Sequence, residues 1–188
     1  MRELFIFGGA NGSGKTTMAK EFCSAFSLPF INADEIAAGM GGQYDGNRDI
    51  MASRTFLDNM RSSIQSGASF VIENTLSCKT LVKHIIKAKE HGYAVVLFYI
   101  YLDNSELAIS RVRTRYAKGG HLIQPDVIRR RMQRSLCNFH KVYSTACDRW
   151  YIYYNGGVEA VCVAENNKNL VIYEPKKYYD FIRRYDDC

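Results

Sequence analysis

The sequence predicts one three-layer α/β/α domain with a mainly parallel five-stranded sheet. Five short apolar runs alternate with helical patterns, which is typical of parallel strands covered by helices on both faces. The length of 188 residues and the hydrophobic fraction of 47% suffice for one well-buried domain over residues 1–188 and are short for two. No internal repeat, low-complexity tract or linker interrupts the pattern.

The predicted strands are short and apolar, with turn residues on both sides. They cover Leu4–Phe7, Leu28–Asn32, Ser69–Glu73, Tyr93–Leu102 and Trp150–Tyr154. The fourth of these is the longest apolar run and therefore predicts the central strand. Beyond them, the segment of about 156–188 predicts a β-hairpin at the sheet edge, from Val161–Ala164 and Leu170–Tyr173, followed by a basic helix over Tyr178–Tyr185.

Helical patterns occupy the intervals between the strands. They run to about Ala25, begin at Ile36, extend from about Ile50 to Ile64, and cover Lys79–His91. Two more helices flank a glycine turn, one capped by Asp103-Asn104-Ser105 and one starting at Pro125. We expect this pair to form an arginine-rich lid over about residues 105–145.

The segment between the first strand and the first helix carries the most specific motif. Gly9-Ala10-Asn11-Gly12-Ser13-Gly14-Lys15-Thr16 fits G-x-x-x-x-G-K-[ST] at every fixed position. Glycines let backbone N–H groups turn towards phosphate oxygens, and the positive end of the helix faces the anion. We expect Lys15 to reach the β- and γ-phosphates, the Thr16 hydroxyl to bind Mg²⁺, and Thr17 to complete the nucleotide site. The predicted ligand is a nucleoside triphosphate with Mg²⁺.

Polar side chains follow the second and third strands, at the edge where an open α/β sheet binds its ligands. Asn32 and Asp34 follow the second strand and are candidates for the substrate site and for the general base. Glu73 closes the third strand and could bind Mg²⁺ through water or accept a hydrogen bond from a substrate hydroxyl. As alternatives, Asp34 or Glu35 could favour the first turn of the next helix, and Glu73 could be the N-terminal partner of a helix.

Arginines are concentrated in the predicted lid. Arg111 and Arg115 are four residues apart on one helical face, so their guanidinium groups can converge. A hinge-like turn, Lys118-Gly119-Gly120-His121, separates them from a second helix that carries Arg129, Arg130, Arg131 and Arg134. A phosphotransferase needs this layout to close arginines over a transferring phosphoryl group and exclude water.

Several of these arginines have a second interpretation. We expect Arg130 in the lid and Arg54 in an earlier helix to contact the substrate. The lid could instead present a basic patch to RNA, or a solvated charged face, because Ile128, Met132 and Leu136 already define a buried stripe. Arg54 could equally be surface charge.

Charge and cysteine content limit the function less sharply. The chain has 25 Lys and Arg against 19 Asp and Glu, a formal charge of +6 that suits either nucleotide phosphates or nucleic acid. The six cysteines show no C-x-x-C and no zinc-like pairing with the four histidines, so we expect free thiols. With no secretory signal and no apolar run of membrane-spanning length, the expected location is the cytoplasm.

The order of these segments resembles the zeta-toxin-like P-loop kinases. The resemblance covers about residues 4–155 and rests on the phosphate loop and five further motifs: INADEIA, FVIENTLS, YLDNSELAISRVRTR with GGH, IRRRMQRS and DRWYIYYN. It implies a nucleotide-kinase-like P-loop NTPase fold, phosphorylation of a sugar hydroxyl of UDP-N-acetylglucosamine from ATP or GTP, and an antitoxin protein as a partner.

The same resemblance implies roles for individual residues. The aspartate that activates the hydroxyl corresponds to Asp34, and the acid and threonine of the sugar-nucleotide site correspond to Glu73 and Thr75. The arginine that clamps the phosphoryl group corresponds to Arg111 or Arg115.

The chain departs from the family pattern at three positions, which leaves the substrate open. An arginine, a glutamate and a second lid arginine of the toxins fall at or near Ser77, Leu57 and His121. A polynucleotide or nucleoside kinase, and a nucleotide- or RNA-binding module that transfers no phosphate, are the alternatives.

Overall fold

A computed structural model of the chain describes residues 2–41, 46–117, 119–120, 123–184 and 188. Within these ranges, seven strands form one sheet in the order β2-β3-β1-β4-β5-β6-β7. The strands are β1 Arg2–Gly8, β2 Phe30–Ile31, β3 Phe70–Asn74, β4 Tyr93–Tyr101, β5 Arg149–Tyr154, β6 Val161–Asn167 and β7 Asn169–Ile172. Neighbouring strands from β2 to β5 pair parallel, whereas β6 and β7 pair antiparallel.

The helices lie between the strands in the order the sequence predicts. They are α1 Lys15–Phe26, α2 Ala33–Gly39, α3 Gly46–Ser66, α4 Val82–Glu90, α5 Ser105–Ala117, α6 Pro125–Asn138, α7 Ser144–Ala146 and α8 Pro175–Arg183. A π-helical turn, Phe139–Tyr143, joins α6 to α7. The predicted α/β fold with a mainly parallel sheet is confirmed.

The sheet differs from the prediction at both edges. The predicted second strand shrinks to Phe30–Ile31, because the side chain of Asn32 ends it by capping α2. The predicted hairpin is continuous with the other strands, because β6 pairs with β5 along its length. The sheet therefore has seven strands among the described residues, where five and a separate hairpin were predicted.

Apolar side chains on both faces of the sheet make the three layers. On one face, α1 packs against β1, β3 and β4 through Ala19, Phe7, Val71 and Ile100. On the other face, a larger cluster joins the sheet to α3, α4, α6 and α8. A third cluster lies between α5 and α6, so these two helices pack as a unit at the carboxyl ends of the strands.

The expectation of six free thiols is wrong for two of them. Cys137, on α6, and Cys188 form a disulfide across 51 residues of sequence, whereas Cys23, Cys78, Cys147 and Cys162 are free. The pair meets because the end of the chain returns to α6, a tertiary contact that cysteine spacing does not encode.

Among the helices of the described residues, none combines the length and the apolar character needed to cross a bilayer.

The C-terminal helix α8 packs into the core through Phe181. Phe181 is fully buried, with ring centroids 4.7 Å from Tyr101 and 5.7 Å from both Tyr99 and Phe139. Phe181→Ala should therefore lower the free energy of unfolding by about 3–5 kcal/mol. Urea denaturation monitored by far-UV circular dichroism measures this.

Tyr179→Ala, on the same helix, is the matched control because its side chain is 54% exposed. We expect it to change the stability by less than about 0.5 kcal/mol. Equal, small effects of the two substitutions would contradict the docking of α8.

Candidate active site

The phosphate-binding loop lies between β1 and α1 and is held from two sides. Gly12 has φ of 79°, and a Cβ there would lie 2.5 Å from the carbonyl oxygen of Ala108 on α5. Gly14 has φ of 96°, and a Cβ there would overlap the side-chain amide of Asn155. Both positions need glycine, for the left-handed backbone and for the close approach of α5 and the β5 end. The two glycines therefore let the loop pass closely between α5 and the end of β5.

Lys15 is buried at the first turn of α1, with only 4% of the residue exposed. Its Nζ donates to the carbonyl oxygen of Ala10 at 2.9 Å and lies 3.5 Å from Oε1 of Glu73. An ammonium group held inside the loop between a carbonyl and a carboxylate can turn to phosphate oxygens when a nucleotide enters.

Asn32 connects the ends of β2 and β3. Its Oδ1 accepts hydrogen bonds from the backbone N–H groups of Asp34 at 2.7 Å and Glu35 at 3.3 Å, which makes Asn32 the N-cap of α2. Its Nδ2 donates to Oε2 of Glu73 at 2.6 Å. The structure thus assigns the capping role, which sequence reasoning left open for Asp34 and Glu35, to Asn32.

The two acids that follow Asn32 have different surroundings. Glu35 pairs with Lys20, with 2.5 Å between Nζ and Oε1, and this hydrogen bond and the charge of Glu35 raise the pKa of Lys20. The carboxylate of Asp34 is exposed and accepts no hydrogen bond from any described residue. Asp34 is therefore available to a ligand, whereas Glu35 is already paired.

One cavity of about 220 Å³ brings most of the predicted catalytic residues together. It is lined by Asn11, Gly12, Gly14, Lys15, Thr16, Thr17, Asp34, Glu73, Arg111, Val112 and Arg115. Three cationic side chains and two carboxylates thus line a space next to the loop. This is an arrangement that can bind polyphosphate and stabilise charge during its transfer.

The oxygen donors in this cavity fit a nucleotide-bound Mg²⁺. The Thr16 hydroxyl and the carboxylate of Glu73 line the same space, and Mg²⁺ prefers such oxygen ligands, which can bind it directly or through water. The hydroxyl of Ser13 is fully buried in the loop without a hydrogen-bond partner in the described structure, as expected of a polar group left for a ligand.

Other predicted substrate contacts lie elsewhere. Arg54 on α3 and Arg130 on α6 are exposed and line none of the cavities around the loop. The hydroxyl of Thr75 shares a hydrogen bond with Ser77 at 2.9 Å and also lies outside these cavities. His121 falls outside the described residues.

Two site residues escaped the sequence reasoning. Asn155 follows β5 and donates from Nδ2 to the carbonyl oxygen of Ser13 at 2.8 Å, so it supports the loop. Its place at the carboxyl end of a strand is the same feature that indicates Asp34 and Glu73 as site residues in the sequence. Arg131 on α6 donates to the side chain of Asn11 at 3.2 Å, and its sequence neighbours gave no reason to prefer it to the three other arginines of that helix.

A glycine-rich loop with a buried lysine, strand-end carboxylates and an arginine-bearing helix pair together define a kinase-like P-loop nucleotide-binding domain. The chain belongs to the AAA domain family, whose model matches residues 4–142. It is also 32% identical over 129 residues to an uncharacterized protein of Haemophilus influenzae, covering 69% of this chain and 91% of that protein.

Solved structures share the fold at low sequence identity. One is the PezAT chromosomal toxin-antitoxin system of Streptococcus pneumoniae, with a TM-score of 0.70 and 19% identity over 100% of this chain and 87% of that one. Another is AvrRxo1-ORF1 in complex with AvrRxo1-ORF2, with a TM-score of 0.76 and 20% identity over 96% of this chain. The present chain spans 63% of that AvrRxo1 chain, which has also been solved with ATP. These similarities show a P-loop kinase-like fold.

The loop geometry predicts the effect of a methyl group at its last glycine. Gly14→Ala should weaken ATP binding by at least about tenfold, because the side chain meets the amide of Asn155 and the backbone has positive φ. Titration with a fluorescent ATP analogue measures the change.

Gly39→Ala is the matched control, since Gly39 lacks positive φ and a Cβ there meets nothing within 4 Å. It should leave the affinity unchanged. ATP affinity that is equal in the two variants would show that the loop tolerates the methyl group and would contradict this geometry.

Proposed function

We propose that the protein is an ATP- or GTP-dependent phosphotransferase that phosphorylates a hydroxyl group of a small molecule. The single observation that carries the proposal is the position of Asp34. Its carboxylate has no hydrogen-bond or ion-pair partner among the described residues, and it lines the same cavity as Lys15 and Arg111. A general base next to the phosphate loop distinguishes a kinase from a module that only binds nucleotide.

Two further cavities meet the phosphate cavity at Asp34 and supply space for an acceptor. One of about 170 Å³ is lined in part by Asp49, Ser53 and Arg131, and one of about 430 Å³ in part by Arg48 and Arg115. An acceptor bound in either space can place its hydroxyl between Asp34 and the terminal phosphate.

The proposed reaction is in-line transfer of the terminal phosphoryl group. The acceptor oxygen forms a bond to phosphorus while the bond from phosphorus to the bridging oxygen of the nucleotide breaks, and Asp34 takes the hydroxyl proton. Lys15 and one arginine of α5 stabilise the charge that develops on the transferred group. Mg²⁺, bound by Thr16 and Glu73, would neutralise the nucleotide oxygens.

UDP-N-acetylglucosamine is the first candidate acceptor. The support is the resemblance to zeta toxins and the similarity in fold to a toxin-antitoxin system. An antitoxin-like protein partner is proposed on the same grounds. Ser77, at the position of a toxin arginine, makes another nucleotide-linked sugar or a nucleoside the next candidate.

The decisive experiment is a search for the phosphorylated product. The purified protein is incubated with ATP or GTP, Mg²⁺ and either UDP-N-acetylglucosamine or a metabolite extract, and mass spectrometry detects any species that gains one phosphate. Lys15→Ala is the inactive control. ATP binding without a phosphorylated product, together with RNA binding that weakens steeply with salt, would instead support the RNA-binding module.

Asp34→Asn tests the general base. The amide keeps the size of the side chain but cannot accept the proton, so kcat should fall by roughly 10² to 10⁴ while the fold and ATP affinity persist. Glu21→Gln is the matched control, because Glu21 is exposed on α1 and lines none of the cavities around the loop, so this variant should retain near-normal turnover. Normal turnover in Asp34→Asn would move the base to another carboxylate.

Arg111 and Arg115 should differ in their contribution to kcat. Arg111 is half-buried and Arg115 is exposed, although both line the phosphate cavity. The arginine that contacts the transferring group should cost about 10³-fold in kcat when changed to alanine, and the other should have a small effect. Arg113→Ala, on the opposite face of α5, provides the control. Steady-state kinetics in which Arg111→Ala and Arg115→Ala are equally mild would contradict the role of α5 as part of an arginine-rich lid.

A further inference from the structure

Arg131 reaches the phosphate loop from the second lid helix. Its Nη1 donates to Oδ1 of Asn11 at 3.2 Å. Asn11 is buried, with 6% exposure, and it is the third residue of the loop motif. The two groups are 120 residues apart in sequence, so only the packing of α6 brings them together.

Arg131 also lines one of the two cavities proposed to hold the acceptor. Arg131 lines the cavity of about 170 Å³ together with Asp34 and Asp49, yet no carboxylate among the described residues lies within ion-pair distance of it. A guanidinium has five N–H donors, and Asn11 uses one. A half-buried cation with unused donors beside a phosphate loop is suited to bind an anion.

The position of Arg131 is fixed by its neighbours on α6. Ile128 and Ser135 are fully buried, three residues before and four residues after Arg131, and therefore lie on the same face of the helix. Ile128 belongs to the cluster that joins α6 to α5. Arg134 lies on the exposed face of the same helix. The side chain of Arg131 is thus directed into the site by the core of the lid.

We propose that Arg131 is a further catalytic residue, which binds the transferring phosphoryl group from the acceptor side. This inference rests on the proposed phosphotransferase function. Arg111 and Arg115 line the phosphate cavity, Arg131 lines the neighbouring one, and Asp34 belongs to both. The transferring group has three equatorial oxygens, and Lys15, an arginine of α5 and Arg131 approach it from different elements. Arg131 donates hydrogen bonds to these oxygens and exchanges no proton.

Arg131→Gln tests the proposal without knowledge of the acceptor. ADP with Mg²⁺ and aluminium fluoride mimics the transferring group, so its affinity relative to ADP alone reports contacts to that group. The ratio of the affinity for the fluoride complex to the affinity for ADP should fall by about 10²-fold or more in Arg131→Gln. The ADP affinity itself and the melting temperature should stay unchanged. Arg131→Lys should recover only part of the ratio, because it restores the charge without the planar fork.

Arg134→Gln is the matched control, since it removes the same charge from the same helix at an exposed position. It should keep the wild-type ratio. An unchanged ratio in Arg131→Gln, or an equal loss in Arg134→Gln, would overturn the proposal.

A purely structural role for Arg131 is distinguished by the affinity for ADP alone. If Arg131 only fastens the lid to the loop, Arg131→Gln should lower the ADP affinity and the melting temperature together with the affinity for the fluoride complex, and the proposal fails. If Arg131 contacts the phosphoryl group, only the affinity for the fluoride complex should fall. A wild-type protein that binds the fluoride complex tightly but phosphorylates no metabolite would contradict the proposed function, while the comparison of the variants still decides the role of Arg131.

Discussion

The candidate site depends on one chain of polar contacts that joins three parallel strands. Lys15 at the start of α1 lies against Glu73 at the end of β3, Glu73 accepts from Asn32 at the end of β2, and Asn32 caps α2. These groups are largely buried, so each contact satisfies a polar group whose isolation would be costly. These polar contacts fix the direction of α2 and thereby place Asp34 next to the phosphate loop. The carboxylate of Asp34 takes no part in them.

The lid approaches this frame from the other side, and its contacts are to the loop itself. Ala108 on α5 lies against Gly12 and Arg131 on α6 donates to Asn11. Outside the lid, Asn155 beyond β5 donates to Ser13. Since the lid helices share a core of their own, a movement of one would carry the other with it. A nucleotide would therefore meet arginines whose relative positions are already set, which reduces the ordering cost of binding.

Sequence reasoning located residues most accurately where their position follows directly from a strand end or from the phosphate loop. The glycines and Lys15 of the loop were recognisable from their motif. The polar residues at the carboxyl ends of β2 and β3 were recognisable because parallel strands end at one edge. It was weakest for long side chains on helices, where one residue of displacement changes the direction by about 100°. Arg130 was expected to contact the substrate but lines none of the cavities around the loop, whereas its neighbour Arg131 lines one of them. The direction of each arginine on α6 depends on how Ile128 packs against α5.

The sequence by itself determined the order of elements, the parallel core of the sheet and the phosphate loop, because these follow from local periodicity and backbone chemistry. Tertiary structure decided how the hairpin extends the sheet, that Cys137 meets Cys188, and that Asn32 rather than an acid caps α2. It also decided which arginine of α6 reaches the phosphate loop. Each of these depends on contacts between residues far apart in the chain, and the free energy of such contacts is set by packing that no local pattern records.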